Sequence, residues 1–327
     1  MRFAQYGISH DHAAGKARVI RESAQAELAG VYEPSPQVRD TLGSDPAYEG
    51  VHWFSSKEEM LEDDGIAAIA AEGEIFQNVG FAREAVEHGK HVWLDKPAGD
   101  DLDAFRWVVE IARERGLMVQ LSYMWRYHPG FRFIMEWARS GRLGEVFSIR
   151  GRISSWPGSE DRWKLWDSRG VRAGGIMFIV GCHLIDIIVA ILGRPRRVTR
   201  FSRHDGGDPP WFPDNTAAVF EYTGAMATVE SAYLEVSSVE SRRLEVYGTR
   251  GSAILEPFEP PALRLCLDRA RDGYAKGWQT VPIPHRRRYY AGLDSLLAAI
   301  RGDSPPERSL DHELTVQDTL LRAIGLA

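Results

Sequence analysis

The first third of the chain alternates short apolar runs with longer amphipathic segments. The apolar runs predict strands at residues 3–8, 26–32, 51–54, 66–71, 91–94 and 118–121. The amphipathic segments predict helices at residues 13–23, 57–61, 78–88 and 102–115. Because strands that alternate with helices pair in parallel, this region predicts a doubly wound sheet covered by helices on both faces.

After Leu121 the pattern changes to alternation with a period of two. It predicts strands at residues 146–153, 197–201, 217–222, 226–233, 243–248 and 252–255, helices at residues 176–192, 290–301 and 311–324, and a surface loop at residues 206–213. Consecutive strands without helices between them indicate a mainly antiparallel sheet with one exposed face. The predicted fold class is therefore α/β, with one domain at residues 1–121 and a second at residues 122–327.

Composition narrows the class of protein. The 327 residues carry 40 basic and 46 acidic side chains, a net charge of −6, so a basic surface for nucleic acid is not expected. The run of arginines at 286–288 is typical of a solvated loop. No apolar stretch has the length of a signal peptide or a membrane helix, which predicts a cytoplasmic protein without a membrane partner. Cys182 and Cys266 are too few and too far apart for a disulfide framework or a structural zinc site.

The turn after the first strand is a candidate cofactor site. A dinucleotide fingerprint reads G-x-G-x-x-G at this place, and here only Gly7 keeps its glycine. Ser9 is small enough for a pyrophosphate to approach the backbone, and the next helix begins with free N–H groups. The candidate ligands are Gly7, Ile8, Ser9, His10 and His12, and the alternative is an ordinary strand-to-helix turn.

Glu33 ends the second strand about twenty residues beyond that turn. An acid at this place binds the adenosine ribose of NAD and repels the additional phosphate of NADP. The expected cofactor is therefore NAD, with NADP less favoured. The alternative is a solvated glutamate.

Two histidines two residues apart, His10 and His12, can chelate a metal ion. No third ligand stands near them in the sequence, so no metal is expected and both residues are assigned to the cofactor phosphates.

Asp95-Lys96-Pro97 follows a buried strand, where open α/β sheets bind their ligands. A lysine at such a place can relay a proton to a reacting hydroxyl or carbonyl. The alternative is a surface lysine in a turn.

These features, taken in order along the chain, resemble the Gfo/Idh/MocA oxidoreductases. The resemblance rests on Gly7, Glu33, the Asp-Lys-Pro motif and the segments 123–129, 141–146, 174–186 and 248–253. It implies an N-terminal Rossmann domain and a C-terminal domain whose open sheet forms a homodimer or homotetramer. It also implies hydride transfer between a nicotinamide and a sugar, polyol or sugar-derived substrate.

The resemblance also assigns roles to individual residues. Lys96 is expected beside the nicotinamide and the substrate hydroxyl, with Asp95 beside the cofactor and a cis peptide before Pro97. His183 is expected to contact the reacting oxygen. Asp186 is expected to orient its imidazole, or alternatively to cap a buried polar cluster. Lys96 and His183 are the predicted catalytic pair.

Basic residues interleaved with aromatic ones suit a sugar, because rings stack on its apolar face while charged groups bind its hydroxyls. The predicted substrate ligands are Arg126, Trp163, Lys164, Arg172, His183 and Asp186.

The sequence departs from the family at two places. Ile179 stands four residues before His183, where related sequences carry an acid. Glu72 lies in an Ala-Glu-Gly stretch where relatives have Thr-Pro, and it is a candidate cofactor ligand and replacement acid. Two alternatives therefore stay open: an NAD-dependent glycosidase or lyase that uses transient oxidation, and a catalytically impaired protein that senses a cofactor or sugar.

Overall fold

The computed structural model describes residues 1–156, 174–206 and 211–327. These residues form two compact units, one of Met1–Tyr123 with Arg288–Leu314 and the other of Met124–Arg287 with Thr315–Ala327. The division at Tyr123 lies two residues from the predicted boundary. The segment 288–314, however, belongs to the first unit and not to the second domain as predicted. The reason is an amphipathic helix in this segment, whose leucines at 293, 296 and 297 enter the core around Phe3 and Trp93.

The first unit is built on a parallel sheet of five strands. Its strands are β1 (Arg2–Tyr6), β2 (Glu27–Tyr32), β3 (Ala68–Ala71), β4 (His91–Leu94) and β5 (Val119–Leu121), in the order β2-β1-β3-β4-β5. Its helices are α1 (Ala13–Glu22), α2 (Pro36–Leu42), α3 (Lys57–Leu61), α4 (Ile75–Glu87) and α5 (Leu102–Glu114), with a short 3-10 helix at Pro46–Tyr48. The strand predicted at residues 51–54 is wrong, because only Trp53 bridges to Val31 before the chain turns toward α3.

The central strands explain why the apolar runs are unbroken. All four residues of β3 have no exposed surface, as expected for a parallel strand covered on both faces. The strand order reverses between β1 and β3, which lie side by side. In open α/β sheets a ligand crevice lies at the carboxyl ends of strands at such a reversal. The candidate residues that follow β1, β2, β3 and β4 therefore meet at this edge.

The second unit contains a mixed sheet of eight strands. They are β6 (Val146–Arg152), β7 (Arg197–Arg203), β8 (Asn215–Glu221), β9 (Met226–Ala232), β10 (Arg243–Gly248), β11 (Gly251–Leu255), β12 (Leu263–Leu267) and β13 (Gly277–Val281), in the order β13-β12-β11-β10-β6-β9-β8-β7. β6 and β9 pair in parallel, and the other neighbours pair antiparallel. The prediction of a mainly antiparallel sheet is confirmed.

Helices cover one face of this sheet. They are a 3-10 helix at Met124–Tyr127, α6 (Pro129–Arg139), a π-helix at Met177–Gly181 and α7 (Cys182–Leu192). Buried residues such as Ile149, Leu244 and Val246 form the covered face. On the opposite face, Phe201, Met226 and Trp278 are 59%, 50% and 53% exposed.

The chain ends with α8 (Tyr290–Arg301) and α9 (Leu310–Ile324). Among the residues described, no helix is both long enough and apolar enough to cross a membrane.

Candidate functional site

The turn after β1 is pressed against the residues that follow β3. Gly7 has a φ of 82°, and a Cβ on it would lie 2.7 Å from the Cα and N of Gly73. Its own N–H donates to the Tyr32 carbonyl at 2.8 Å. Only glycine fits this backbone and this close approach. Ile8 and Ser9 are buried in the turn, and α1 begins at Ala13 with no side-chain cap.

These features fit a dinucleotide. An uncapped helix N-terminus presents N–H groups and the positive end of the helix dipole to a pyrophosphate. Because glycine has no side chain, a pyrophosphate can approach the backbone closely at this residue. Glycine is missing from the second and third fingerprint positions, and cofactor binding by Gly7, Ile8 and Ser9 stays a prediction.

Glu33 closes the same turn from the end of β2. Its carboxylate accepts the N–H of Ile8 at 2.8 Å and the N–H of Ser35 at 2.9 Å. Burial raises the pKa of Glu33, and the two backbone N–H groups oppose that rise. A carboxylate has about four acceptor positions, so Glu33 can still accept from ribose hydroxyls.

Five ionisable side chains form a buried charge cluster at the carboxyl ends of β3 and β4: His10, His12, Lys16, Glu72 and Asp95. The Lys16 Nζ lies 2.9 Å from Asp95 Oδ2 and donates a short hydrogen bond to Glu72 Oε1. The His12 Nδ1 lies 3.1 Å and 3.2 Å from the two oxygens of Asp95. The side chains of Lys16, Glu72 and Asp95 have no exposed surface.

The cluster separates the protonation states of its two acids. Burial by itself raises the pKa of Asp95, but His10, Lys16 and His12 outweigh it and hold that pKa well below its usual range. Burial raises the pKa of Glu72 well above its usual range, against the opposing charge of Lys16. The cluster therefore favours the ionised form of Asp95 and disfavours the ionised form of Glu72.

Lys16 is a site residue that sequence reasoning missed. It lies on the same face of α1 as the buried Ala13, Ala17 and Ile20, and its Nζ is 4.8 Å from the centre of the Trp93 ring. A lysine at helical spacing within an apolar face is the signal that could have identified it, because a buried ammonium needs an acidic partner.

Glu72 does not fulfil its predicted role as a cofactor ligand and replacement acid. The side chain points into the protein toward Lys16 and is fully buried. A carboxyl group in this position contributes to the charge cluster and is not accessible to a bound molecule.

Lys96 follows β4 directly and is 6% exposed. Its backbone N–H donates to Asp95 Oδ1 at 2.7 Å, and the Lys96–Pro97 peptide is cis, as the resemblance implies. Asp95 therefore joins the backbone of Lys96 to the buried charge cluster.

In the second unit, Arg126 and Asp186 bind each other. The Arg126 Nε lies 2.9 Å from both Asp186 oxygens, and its Nη2 lies 2.8 Å from Oδ1. Both side chains are fully buried. The pair joins the 3-10 helix to α7, the helix that carries His183. Contact of Arg126 or Asp186 with substrate stays a prediction.

His183 lies in the first turn of α7 and is 4% exposed. A π-helix, Met177–Gly181, comes immediately before this helix and contains Ile179, whose side chain is partly exposed. π-helical turns are rare and concentrate at functional sites, because they change the direction of the following side chains. The predicted continuous helix at 176–192 is thus interrupted at the motif that carries His183.

Three predicted substrate ligands, Trp163, Lys164 and Arg172, lie outside the described residues, as does part of the predicted loop at 206–213.

In the structure, the Asp95 carboxylate lies near the two histidines and is a possible third metal ligand. His10, His12 and Asp95 each place a nitrogen or oxygen within 4.8 Å of the others, a spacing that a metal ion can bridge. However, His10 Nδ1 accepts the N–H of His12 at 3.2 Å, which leaves the proton on Nε2, facing Asp95 at 3.5 Å. Hydrogen bonds therefore account for all three groups.

The fold and the site define a Rossmann-type oxidoreductase that binds NAD(P). Residues 7–123 match the family described as "Oxidoreductase family, NAD-binding Rossmann fold", and residues 131–254 match the "GFO/IDH/MocA C-terminal domain". The chain belongs to the Gfo/Idh/MocA oxidoreductases, and it is an enzyme of the dehydrogenase/reductase type.

Relatives of known name support this assignment. The chain is 26% identical over 329 residues to an uncharacterized oxidoreductase, ORF334, of Rhizobium meliloti, with 98% of this chain and 96% of that protein covered. It is 28% identical to D-xylose 1-dehydrogenase (NADP(+)) 2 of Haloferax volcanii over 68% of this chain and 72% of that one.

A solved structure shows the same fold. UDP-N-acetylglucosamine 3-dehydrogenase GnnA of Acidithiobacillus ferrooxidans has a TM-score of 0.81 at 17% identity, covering 100% of this chain and 97% of that chain.

Proposed function

We propose that this protein is an NAD-dependent oxidoreductase that transfers a hydride between a nicotinamide and a CH–OH carbon of a sugar, polyol or sugar-derived substrate. The observation that carries the proposal is Lys96, held at the carboxyl end of β4 by the N–H bond to Asp95. This edge of the sheet is where such folds bind their ligands. The similarity to a xylose dehydrogenase supports a sugar as the substrate class.

The preference for NAD rests on Glu33. Its carboxylate ends β2 within the turn that would hold the cofactor, where it accepts ribose hydroxyls and repels a 2′-phosphate. The Haloferax relative is named for NADP+, so the preference is a property proposed for this chain alone.

The bound cofactor supplies the hydride acceptor or donor. We assign proton relay to Lys96 and orientation of the substrate oxygen to His183, with Arg126 and Asp186 holding the helix of His183 in place. The roles of Trp163, Lys164 and Arg172 in substrate binding stay predictions.

One observation favours a second candidate function. Ile179 is partly exposed in the π-helix and can neither take a proton nor accept a hydrogen bond from a hydroxyl. A protein that binds cofactor and sugar without turnover is the corresponding alternative.

The test is a panel of aldoses, polyols and sugar acids, including D-xylose, assayed with NAD+ by nicotinamide absorbance. We expect turnover of at least one compound, and Lys96→Gln is expected to lower kcat by about 100-fold or more. Lys90→Gln is the matched control, because Lys90 is a buried lysine before the amino end of β4 that donates to the carbonyls of Asp63 and Ile66.

The outcomes separate the alternatives. Binding of NADH without turnover of any compound contradicts the proposal and favours the sensing protein. Product formation without net nicotinamide reduction, in protein that retains its cofactor, favours the glycosidase or lyase.

We also propose that the protein forms a homodimer or homotetramer through the open face of the second sheet. Strand register places Met226, Ser148, Tyr247, Ser252, Cys266 and Trp278 in one row on that face. Exposed apolar side chains on a sheet face can be buried against the same face of a second copy of the chain. Residence in the cytoplasm stays a prediction from the sequence.

A further inference from the structure

His12 stands at the start of α1 with its two ring nitrogens in different surroundings. Its Nδ1 lies 3.1 Å and 3.2 Å from the two oxygens of Asp95. An ionised carboxylate only accepts hydrogen bonds, so Nδ1 carries the proton and Nε2 carries a lone pair. The contact therefore fixes the tautomer in which Nε2 is a base.

Asp95 is suited to hold that tautomer. It is fully buried, it receives the Lys16 ammonium at 2.9 Å and the Lys96 N–H at 2.7 Å, and these contacts keep it ionised. A buried carboxylate on Nδ1 also stabilises the imidazolium that forms when Nε2 takes a proton, as in the aspartate–histidine pair of serine proteases.

The neighbouring histidine has the opposite arrangement. His10 accepts a backbone N–H at Nδ1, and its Nε2 faces Asp95, so neither nitrogen offers a lone pair outward. Burial lowers the pKa of His10 well below its usual range. The His12 side chain is 18% exposed, and among the residues that the structure describes none hydrogen-bonds to its Nε2.

We propose that Nε2 of His12 is the final acceptor of the proton that Lys96 relays from the substrate hydroxyl, with Asp95 as the positioning residue of His12. This inference rests on the proposed function, because Asp95 contacts both the His12 ring and the backbone N–H of Lys96, the residue proposed to relay the proton. Oxidation of a CH–OH carbon breaks its O–H and C–H bonds. The proton passes by way of Lys96 to His12 Nε2, the hydride leaves with its electron pair to the nicotinamide, and the oxygen forms the C=O bond.

The first test needs neither substrate nor cofactor. Diethyl pyrocarbonate acylates unprotonated imidazole nitrogens, and peptide mass spectrometry gives the rate at each of the ten histidines. We expect Asp95→Asn to lower the rate at His12 by about tenfold or more, because an amide can stabilise the other tautomer. An unchanged rate at His12, in protein with native circular dichroism, overturns the proposal.

The chain offers a matched control pair. His204 Nδ1 lies 3.2 Å from Asp214 Oδ2, and the His204 side chain is 24% exposed. Asp214→Asn is expected to leave the labelling rate of His12 unchanged. His204 is expected to keep its tautomer in this variant, because its Nδ1 also lies 3.0 Å from the Phe212 carbonyl oxygen. If this variant lowers the rate at His12 equally, the effect of Asp95→Asn is not local and the proposal fails.

The second test uses His12→Gln, which keeps a polar side chain and loses the base. With a compound that the wild type oxidises, we expect kcat to fall by about 100-fold or more, with loss of the pH dependence that the base imparts. Binding of NADH to the same variant is expected to stay within about threefold of the wild type. A kcat close to the wild-type value overturns the proposal.

The proposal is also overturned if His12→Gln weakens NADH affinity by a larger factor than it lowers kcat, since His12 is then a ligand of the cofactor phosphates. If the wild type oxidises no compound, the proposed function fails, and the labelling result still decides whether Asp95 makes His12 a base.

Discussion

Lys16 is a lysine whose whole side chain is buried, with its ammonium between two carboxyl groups. A buried charge is tolerated only with partners, and removing one partner of such a group costs about 3–5 kcal/mol. We therefore expect Lys16→Met to lower the free energy of unfolding by about that amount, because Asp95 loses its nearest cation. Urea denaturation measures it. A loss below about 1 kcal/mol would contradict the assignment of Lys16 as the counterion.

Glu72 makes the free energy of unfolding depend on pH, and the direction of its pKa shift determines the sign of that dependence. Its pKa in the folded protein lies well above the ordinary 4.5, because burial disfavours the charged form. The unfolded chain therefore releases this proton at lower pH, so stability that is present below pH 4.5 is lost as the pH rises through the folded pKa. Asp95 has the opposite sign, and its contribution is lost as the pH falls below 3.8.

The corresponding prediction concerns the pH range that begins above the ordinary pKa of 4.5, where Glu72 but not Asp95 contributes a slope. Wild-type stability is expected to fall with rising pH more steeply than that of Glu72→Gln, by up to about 1.4 kcal/mol per pH unit. The glutamine keeps a carbonyl acceptor for Lys16 and has no proton to release. Urea denaturation at several pH values compares the two slopes, and equal slopes would contradict the raised pKa of Glu72.

At the scale of single elements, the turn after β1 depends on the contact between two glycines. Gly7→Ala places a Cβ 2.7 Å from the backbone of Gly73 and forces alanine to a φ of 82°. We expect this variant to lose NADH binding and to lose stability by more than the roughly 1 kcal/mol that positive φ alone costs. Gly116→Ala is the control, since Gly116 has a φ of 67° and nothing within 4 Å of the added Cβ. Thermal unfolding of both variants separates the cost of the positive φ from the cost of the close approach to Gly73. Equal losses of stability in the two variants would contradict a contribution from the close approach.

Elements with both an apolar pattern and a clear end signal were predicted well. Residues 57–61, 91–94, 243–248 and 290–301 agree at both ends with α3, β4, β10 and α8. Four elements were missed, α2, α6, β12 and β13, although Leu263, Leu265 and Leu267 alternate as a strand should. Such a strand needs neighbours from elsewhere in the sheet, and local pattern does not identify them.

The candidate site shows the same limit. Gly7, Glu33 and Lys96 could be found because each follows a strand. The contact of His12 with Asp95 spans 83 residues, and that of Lys16 with Glu72 spans 56. These pairings depend on how the β1 turn packs against the ends of β3 and β4, which no local sequence pattern encodes.

At the scale of the whole molecule, the open face of the second sheet predicts self-association. The wild type is expected to have a mass of two or four times 36.8 kDa by light scattering. Met226→Glu places a charge on that face and is expected to shift the mass toward a single chain, because a buried unpaired charge opposes association. Leu42→Glu, at a residue 42% exposed on α2, is the control that should leave the mass unchanged. A wild type that is monomeric would contradict the proposed interface.

The proposed function depends most directly on the binding of NAD by the β1 turn and Glu33. Titration with NADH and, separately, NADPH, followed by quenching of the ten tryptophans, tests it in protein first shown to carry no cofactor. We expect NADH to bind more tightly than NADPH, and Glu33→Ala to weaken NADH by about tenfold or more through loss of its charged acceptor. Glu27→Ala, an exposed glutamate at the other end of β2, should change neither affinity. Failure of both cofactors to bind, or an NADH affinity that Glu33→Ala leaves unchanged, would contradict the account.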